Sequence, residues 1–448
     1  MANTVLTRTP SSATNQKTFT YSVWFKRLVQ GQESAIVCVG NNPSSSMFMI
    51  RFDPDTINIY GNGSNPNITT HRKFYDPSAW YHLVLAVDTT QSTEADRVKL
   101  YINGVQETSF STASYPGQNN DLEVNSTTTI HIGERPDDNK HFEGYMSHFH
   151  FIDGTAYAAS DFGSTDATTG EWTIKTSPSV TYGTNGFFIL KDGNSVTDQS
   201  GNGNNFTVSQ GSLTKSEDNP SNNFATLNRL SFHEANFSLS NGNTTMATGN
   251  NTQWNNAICA SLVATGGKFY WEAKWTDGDS YSIIGIIKAE DIHRCATSLS
   301  GSGTDIYMHA NAIQTDNGGG SPQRYSFVSS DGNISISAPP GCIMQFALDC
   351  ENRKFWFGVN GTYYNSGNPA TGANPTWDTT DIPADGEFVP YAQGYKISGA
   401  TAFQFNFGNG FFGSTAVSSA GTNASNNGIF EYDVPSGFTA LSTKGLNE

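Results

Sequence analysis

The sequence is poor in charged residues and has no long apolar run. Only 14% of its 448 residues are charged, with 24 Lys and Arg against 40 Asp and Glu. The net charge of −16 repels phosphate backbones, so we expect no nucleic-acid partner. No run of about 18 apolar residues occurs, so we expect no membrane insertion. The first residues, MANTVLTRTPSSATN, also lack the apolar segment of a signal peptide.

Cysteine is scarce, and its spacing matches no familiar pattern. The five cysteines are Cys38, Cys259, Cys295, Cys342 and Cys350. An odd count without close pairs argues against a disulfide framework and against a CxxC zinc site. We therefore predict free thiols packed in sheets, in a chain that is made in a reducing cytoplasm.

Motifs for nucleophilic and phosphate chemistry are also missing. The sequence contains no G-x-S-x-G nucleophile elbow and no P-loop. Gly-rich pieces such as GNGNN precede no helical pattern, which a phosphate cradle requires, so we interpret them as turns. The sequence therefore offers no candidate residues for acyl or phosphoryl transfer.

Short alternating segments and turn residues make up most of what is present. TFTYSVWFKR (18–27) alternates along its length, and so does RVKLYINGVQ (97–106), which contains the hairpin signal Asn103-Gly104. The 44 glycines and many Asn, Ser and Thr residues favour turns. No stretch carries a helical apolar stripe beyond one turn. The pattern predicts an all-β chain built of antiparallel β-sandwiches.

A change in composition at 191–225 divides the chain. This stretch has few large apolar residues, and strand patterns resume with GKFYWEAKW at 267–275. We predict two jelly-roll β-sandwich domains in tandem. Their bounds are 1–210 and 229–448, and 211–228 is the linker between them.

The first half resembles the concanavalin A-like (laminin G-like) lectin superfamily. The likeness is carried by the segments FTYSVWFKR, WYHLVLAVD, VKLYINGVQ, IHIGE and FEGYMSHFHFIDG. The stretches TRTPSSATNQKTFTYSVWFKR and DQSGNGNNFTV are also similar to structural proteins of tailed bacteriophages, especially marine ones. Over about 1–210, the resemblance implies a lectin-like sandwich in a virion protein.

The second half resembles a SPRY (B30.2-like) domain. The likeness is carried by the segments GKFYWEAKW, YSIIGI, CIMQFALDCENRKFWFGVNGTYY, FVPYAQG and TAFQFNFG. This chain departs from the family pattern in a long Gly/Ser-rich insert at 296–323 and in a short region at 387–400. The resemblance implies a second sandwich, over about 225–448, that makes protein contacts or binds surface polysaccharide.

Some proteins of the concanavalin A-like fold are glucanases, so the resemblance raises the question of catalysis. Retaining glycosidases of this fold carry an E-x-D-x-x-E motif on one strand. The motif sets two carboxylates about 5–5.5 Å apart. The nearest string here is EADRVK (94–99), which ends in Lys99 and lies in a polar turn. We therefore predict no enzyme and no catalytic residues.

The stretch KFWFGVNGTYYNSGNPATGANPTW (354–377) combines a strand with a polar loop. Phe355 and Phe357 alternate, which places them in the core. The loop after them is too polar for a core, and loops on rigid scaffolds often carry recognition. The alternative is that its aromatic residues cap the sandwich edge. The candidate ligand or partner contacts in this stretch are Tyr363, Tyr364 and Trp377. Two further candidates, Asn62 and Asn65, lie in the loop 61–67.

Histidine and aspartate supply the candidate metal ligands. His148 and His150 point to one face of a strand, and His131 lies on a neighbouring strand-like piece. Three imidazoles could bind a transition metal, and the alternative is an exposed polar face. Asp53 and Asp55 share a polar turn and are candidate calcium ligands, since laminin G-like lectins can bind calcium. We predict no cofactor, and calcium is the alternative.

Together these observations predict a non-enzymatic virion surface protein of the tail-fibre or adhesin type, assembled in the host cytoplasm. It would bind host cell-surface polysaccharide through its sandwich loops. Its other partners would be virion proteins and copies of itself, with a trimer favoured. One alternative is a capsid decoration or head fibre protein bound to the head lattice. A tail-associated polysaccharide depolymerase is the other.

Overall fold

In the computed structural model, the chain forms two compact units, Met1–Lys215 and Ser216–Glu448. Each unit has its own apolar core. The chain is all-β, with two antiparallel β-sandwiches in tandem, as predicted. The residues that the structure describes are 3–40, 47–61, 66–136, 140–191, 195–231, 237–248, 256–276, 280–295, 310–315, 322–326, 329–384, 386–396 and 401–447.

The first unit consists of short strands in two main sheets. Its strands are β1 (Val5–Arg8), β2 (Thr18–Arg27), β3 (Ser34–Val39), β4 (Phe48–Asp53), β5 (Thr56–Gly61), β6 (Asn67–Lys73), β7 (Tyr81–Asp88), β8 (Val98–Ile102), β9 (Val105–Gln106), β10 (Phe110–Ser114), β11 (Ile130–Ile132), β12 (Gly144–Asp153), β13 (Gly163–Thr165), β14 (Trp172–Ile174), β15 (Phe187–Ile189) and β16 (Thr207–Gln210). An eight-stranded sheet has the order β10-β6-β5-β4-β3-β11-β1-β16. A six-stranded sheet has the order β15-β12-β2-β7-β8-β9.

The core of the first unit lies between these two sheets. Alternation along each strand sends one set of side chains inward, such as Tyr21 and Phe25 of β2, Ile50 of β4 and Phe149 of β12. All four are fully buried. The inward set is aromatic and branched, so the alternation along 18–27 corresponds to one buried row of side chains in β2.

The outer face of the six-stranded sheet is covered as well, which the sequence did not predict. Trp24 and Lys26 of β2 point outward, yet both are buried. The coil after β12 returns over this face, where its Phe162 packs against Val84 and Ile152. The outward side of β2 is therefore part of the interior of the unit.

The second unit repeats this plan with its own strands. They are β17 (Phe237–Ser240), β18 (Thr245–Thr248), β19 (Asn256–Cys259), β20 (Lys268–Trp275), β21 (Ser280–Lys288), β22 (Ala310–Thr315), β23 (Gln323–Ser326), β24 (Ser329–Asn333), β25 (Ile343–Asp349), β26 (Lys354–Val359), β27 (Thr362–Tyr363), β28 (Phe388–Lys396), β29 (Thr401–Asn406), β30 (Phe411–Phe412), β31 (Thr415–Ala416) and β32 (Thr439–Ala440). One sheet has the order β17-β18-β29-β20-β25-β26-β27, and β32 pairs with β20. The other has the order β19-β28-β21-β22-β23-β24.

Among the residues that the structure describes, helices are few and short. The α-helices are α1 (Ile292–Cys295) and α2 (Thr443–Leu446), and the 3-10 helices are Glu94–Asp96, Ala159–Asp161, Arg229–Ser231, Ala289–Asp291, Tyr364–Ser366 and Pro369–Thr371. Within the described part of the chain, none of them is long and apolar enough to cross a membrane.

The hairpin of β25 and β26 forms the centre of the second core. Phe346 pairs with Phe357, and Leu348 pairs with Phe355. All four side chains are fully buried. The opposite face of this sheet is covered by the C-terminal segment, in which Phe430 and neighbouring apolar residues pack against the outward side of β20.

The second unit begins earlier than the sequence predicted. The chain divides between Lys215 and Ser216. Phe224 and Leu227 fall within the predicted linker 211–228, yet both are buried in the cores of the second unit. Phe224 forms a bridge with Ser442 next to the C-terminal helix, so the apparent linker serves as an additional packing segment.

Candidate functional site

The polar loop at 354–377 does not expose its tryptophan. The Trp377 side chain is fully buried and stacks on Phe355, with ring centroids 4.9 Å apart. Its indole Nε1 donates a hydrogen bond of 2.7 Å to the carbonyl oxygen of Tyr325. Trp377 is therefore a core residue and not a surface contact, because the polar loop folds back and inserts this ring between β26 and β23.

The two tyrosines of this loop also pack against the second unit. Tyr363 contacts the cluster around Trp356, and burial raises the pKa of its phenol. Tyr364 packs against the main core. This arrangement corresponds to the alternative that the sequence left open, in which the aromatic residues cap the sandwich edge. The candidates Asn62 and Asn65 lie outside the described residues.

The three candidate histidines do not converge. His131 lies on β11 in the eight-stranded sheet, whereas His148 and His150 lie on β12 in the six-stranded sheet. The predicted neighbourhood is wrong because consecutive strands β11 and β12 belong to opposite layers of the sandwich. A metal site that combines all three side chains is therefore not formed.

His150 is also not on an exposed face. It is 2% exposed, its Nδ1 lies 2.9 Å from the Tyr182 hydroxyl, and its ring stacks on Phe188 at 3.9 Å. The coil that returns over the six-stranded sheet supplies this cover. His148 has a positive φ of 48° at a register shift in β12, which displaces it from the regular alternation.

The two candidate calcium ligands already have other partners. Asp55 is buried and accepts hydrogen bonds from Arg27 Nη1 at 2.8 Å and from the Gly31 amide at 2.7 Å. Asp53 accepts a bond of 3.0 Å from Arg51 Nη2. Each carboxylate is thus neutralised by a different guanidinium. Among the residues that the structure describes, no group of three or more His, Cys, Asp or Glu side chains could hold a metal ion.

A buried serine–histidine contact occurs in the first unit, but it is not an activated nucleophile. Ser22 Oγ lies 2.9 Å from His82 Nε2, and Trp172 Nε1 donates to His82 Nδ1 at 2.9 Å. An indole N–H can only donate, so Nδ1 is an acceptor and the ring proton of neutral His82 is on Nε2. His82 therefore donates to Ser22 and cannot take its proton.

The best candidate for a binding surface is the outward side of β4, β5 and β6, together with the neighbouring Glu33. We call it the polar face, and it consists of Glu33, Arg51, Asp53, Asn58, Tyr60, Asn67 and Thr69. Ile50, Ile59 and Ile68 point from the same strands into the core. The alternation of the strands thus places a row of hydrogen-bonding side chains on the opposite side of the sheet.

Arg51 organises the polar face. Its Nε donates to Asn58 Oδ1 at 2.9 Å, its Nη2 donates to Asp53 at 3.0 Å, and its Nη1 lies 3.7 Å from Glu33 Oε2. The guanidinium also lies over the Tyr60 ring, 5.6 Å from the centroid. With one cation held by several acceptors, this side chain is fixed before any ligand arrives.

An amide extends the network toward the sheet edge. Asn58 Nδ2 donates to Asn67 Oδ1 and to Thr69 Oγ1, both at 2.9 Å. The carboxylates remain accessible, since the side chains of Asp53 and Glu33 are 36% and 37% exposed. The polar face therefore combines accessible carboxylates with a partly exposed Arg51 and with a Tyr60 ring that packs on the buried Met47 and Met49. Asn58 is 1% exposed, so it holds the network together from inside the sheet.

From the sequence, Asp53 is a candidate only as a calcium ligand, and neither Arg51 nor Tyr60 is a candidate contact. A signal was present, because FMIRFD and INIYG alternate apolar residues with Arg51, Asn58 and Tyr60. The pairing of Arg51 with Asn58 across β4 and β5 depends on strand register, which the sequence did not specify.

Comparisons with known proteins describe what each part of the chain is similar to. Residues 2–160 match a family model described as the Concanavalin A-like lectin/glucanases superfamily (Laminin_G_3). The crystal structure of the TRIM65 PSpry domain is matched at 13% identity and a TM-score of 0.30, over 41% of this chain and 88% of that chain. The SPRY domain of human HERC1 is matched at 14% identity and a TM-score of 0.25, over 38% of this chain and 92% of that chain. A comparison with curated proteins gave no match.

Proposed function

We propose that this chain is a non-enzymatic binding protein whose first unit recognises carbohydrate through the polar face. The observation that carries the proposal is the fixed network of Arg51, Asp53 and Asn58 beside the ring of Tyr60. It lies within the residues that match the lectin and glucanase superfamily. The match by itself supports a binding role, and the geometry supports a ligand rich in hydroxyl groups.

The chemistry of the polar face suits a sugar. A sugar hydroxyl both donates and accepts, so it can bridge a carboxylate such as Asp53 and a donor such as Arg51. The C–H face of a sugar ring can pack on the aromatic ring of Tyr60. Because the side chains are already held in place, binding costs less conformational entropy than on a mobile loop.

We place this activity on the surface of a virion of a tailed bacteriophage, in a tail-fibre or adhesin role. The sequence resemblance over about 1–210 supports this location, and the SPRY-like segments of the second unit support protein contacts with other virion proteins. Weak single sites on many copies would supply avidity for a host polysaccharide.

The glycan proposal is tested by titrating the full chain with fragments of host cell-surface polysaccharide. We expect Tyr60→Ala and Arg51→Ala to weaken binding about tenfold or more, because each removes a central contact. The matched control is Arg72→Ala, which removes a guanidinium paired with Glu107 at 2.6 Å outside the polar face. Wild-type affinity in both test variants would show that the glycan binds outside the polar face. Absence of glycan binding would contradict the proposal.

The location is tested separately with gold-labelled antibody on purified virions. We expect label on the tail. Label spread over the head would replace the adhesin role with the capsid decoration role, and absence from the particle would remove the virion assignment. Release of reducing ends from the polysaccharide would instead favour the depolymerase alternative.

A further inference from the structure

Two cysteines that are distant in sequence are in contact inside the second unit. The Sγ atoms of Cys259 and Cys295 are 3.1 Å apart, with a sequence separation of 36 residues. Their side chains are 0% and 1% exposed. Cys259 is the last residue of β19, and Cys295 is the last residue of α1. The contact therefore joins β19, an edge strand of the sheet β19-β28-β21-β22-β23-β24, to the helix that follows β21.

The other three cysteines are placed differently. Cys38 belongs to the first unit. Cys342 and Cys350 lie at opposite ends of the seven-residue strand β25, and a strand of this length spans about 20 Å. Because a disulfide requires Cα atoms within about 7 Å, Cys342 and Cys350 cannot pair with each other.

We propose that Cys259 and Cys295 form an intramolecular disulfide when the chain meets a disulfide oxidant such as oxidised glutathione. The bond length is about 2.05 Å, so the two sulfur atoms must approach by about 1 Å. The resulting bond would fasten α1, and with it the start of the connection between β21 and β22, to β19.

The reaction balances as two exchange steps. The thiolate of one cysteine attacks the oxidant, forms a mixed disulfide and releases one glutathione thiolate, which takes up the proton that the cysteine lost. The thiolate of the second cysteine then attacks the protein sulfur of the mixed disulfide and displaces the second glutathione, which also takes up a proton. Two protein thiols are oxidised and one glutathione disulfide is reduced to two thiols.

The environment of the pair determines when this reaction occurs. Burial raises the pKa of the Cys259 thiol, and the neighbouring Cys295 raises it further. A protonated, buried thiol is a poor nucleophile and is closed to glutathione. We therefore expect slow oxidation of the folded chain and faster oxidation during refolding, when both thiols are accessible.

The crosslink closes a loop that contains β20 and β21, two central strands of the second unit. Closing a loop of this size restricts the unfolded chain more than the folded one. We therefore expect the oxidised chain to unfold at a temperature higher by about 5 °C or more.

The experiment refolds the full chain with a mixture of reduced and oxidised glutathione and with reduced glutathione alone. Peptides are then mapped by mass spectrometry without reduction, and thermal unfolding is followed for both samples. We expect a crosslinked peptide that joins Cys259 and Cys295, and a higher unfolding temperature that dithiothreitol reverses. Cys259→Ser should abolish both results, and the matched control Cys38→Ser should keep both.

Two outcomes would overturn the proposal. One is five free thiols after oxidative refolding of the wild-type chain. The other is a crosslink that joins other cysteines while Cys259 and Cys295 remain free. Both are read in the wild-type chain, so they do not depend on the folding of any variant.

Discussion

The most unusual residue of the second unit is Glu272, a fully buried carboxylate on the outward side of β20. Its oxygens accept hydrogen bonds from the Tyr270 hydroxyl at 2.9 Å and from Asn406 Nδ2 at 3.3 Å. The backbone amides of Glu431 and Tyr432 donate to it at 2.9 Å each. One side chain thus fastens the C-terminal segment to the sheet that this segment covers.

Glu272 makes the stability of the chain dependent on pH. Burial raises its pKa to about 7 from a usual 4.5, and the hydrogen bonds offset only part of this effect. The folded state therefore favours protonated Glu272. The contribution of this group to the free energy of unfolding is fully present below pH 4.5, falls as the pH rises and is lost above about pH 7. It amounts to about 3 kcal/mol. The facing phenols of Tyr270 and Tyr363 have raised pKa values and stay neutral throughout.

We expect Glu272→Gln to flatten the pH dependence of urea unfolding between pH 4.5 and 7, because glutamine cannot ionise. The matched control is Glu431→Gln, whose carboxylate bonds to the Ser418 amide at 2.6 Å and not to the sheet. An unchanged slope in Glu272→Gln would show that the raised pKa has no effect on folding.

His82 in the first unit has the opposite effect on the pH dependence of stability. Burial lowers its pKa to about 3 from 6.5. The unfolded chain therefore takes up a proton first as the pH falls, and stability that is present above pH 6.5 is lost toward pH 3, by about 5 kcal/mol. His82→Gln can still accept from Trp172 and donate to Ser22, so we expect it to reduce this loss of unfolding free energy.

The measurement for His82 is urea unfolding of the full chain at a series of acidic pH values. Part of the loss should remain in His82→Gln, because burial lowers the pKa of His150 as well. His71→Gln, at an exposed position of β6, is the matched control and should follow the wild-type profile. Identical acid profiles for all three proteins would contradict the role of His82.

At the scale of elements, the hairpin of β8 and β9 combines local and tertiary constraints. Asn103 and Gly104 have φ values of 48° and 79°, as the Asn-Gly turn signal predicted. A Cβ atom on Gly104 would lie 2.4 Å from the Trp172 ring. The turn sequence is therefore required by the segment that covers the six-stranded sheet as well as by the backbone.

We expect Gly104→Ala to lower the free energy of unfolding by about 2 kcal/mol or more, because it combines a positive φ with a clash. Gly170→Ala is the matched control, since φ is 75° and nothing lies within 4 Å. It should cost only about 1 kcal/mol. Urea unfolding of both variants measures the difference, and equal losses would mean that the Trp172 ring moves aside without cost.

At the scale of the whole molecule, the separate cores predict separate folding. Residues 1–215 and 216–448 each contain two main sheets and a continuous apolar cluster. We expect each fragment to fold alone and to unfold cooperatively, since each exceeds the size at which a domain can bury its own core. Circular dichroism and thermal unfolding of the two fragments measure this. A fragment without cooperative unfolding would contradict it.

The sequence predicted strands and the core positions of Phe355 and Phe357, but it misplaced Trp377 and brought the three candidate histidines together wrongly. The alternation of Phe355 and Phe357 was sufficient to place them inside, because strand period depends on neighbouring residues alone. Trp377 was misplaced because its surroundings in sequence are polar while its partners, Phe355 and Tyr325, come from elsewhere in the chain. Polarity averaged over a loop does not indicate which single ring the loop inserts.

By itself, the sequence determined an all-β chain of two sandwiches and the inward side of regularly alternating strands such as β26, since both follow from local alternation and turn chemistry. The tertiary structure decided which strands share a sheet, and hence that His131 and His150 lie in different layers. It also decided that Arg51 meets Asn58 and that Cys259 meets Cys295. These contacts depend on sheet order, register and the coils that fold back over the sheets, which arise only when the whole chain packs.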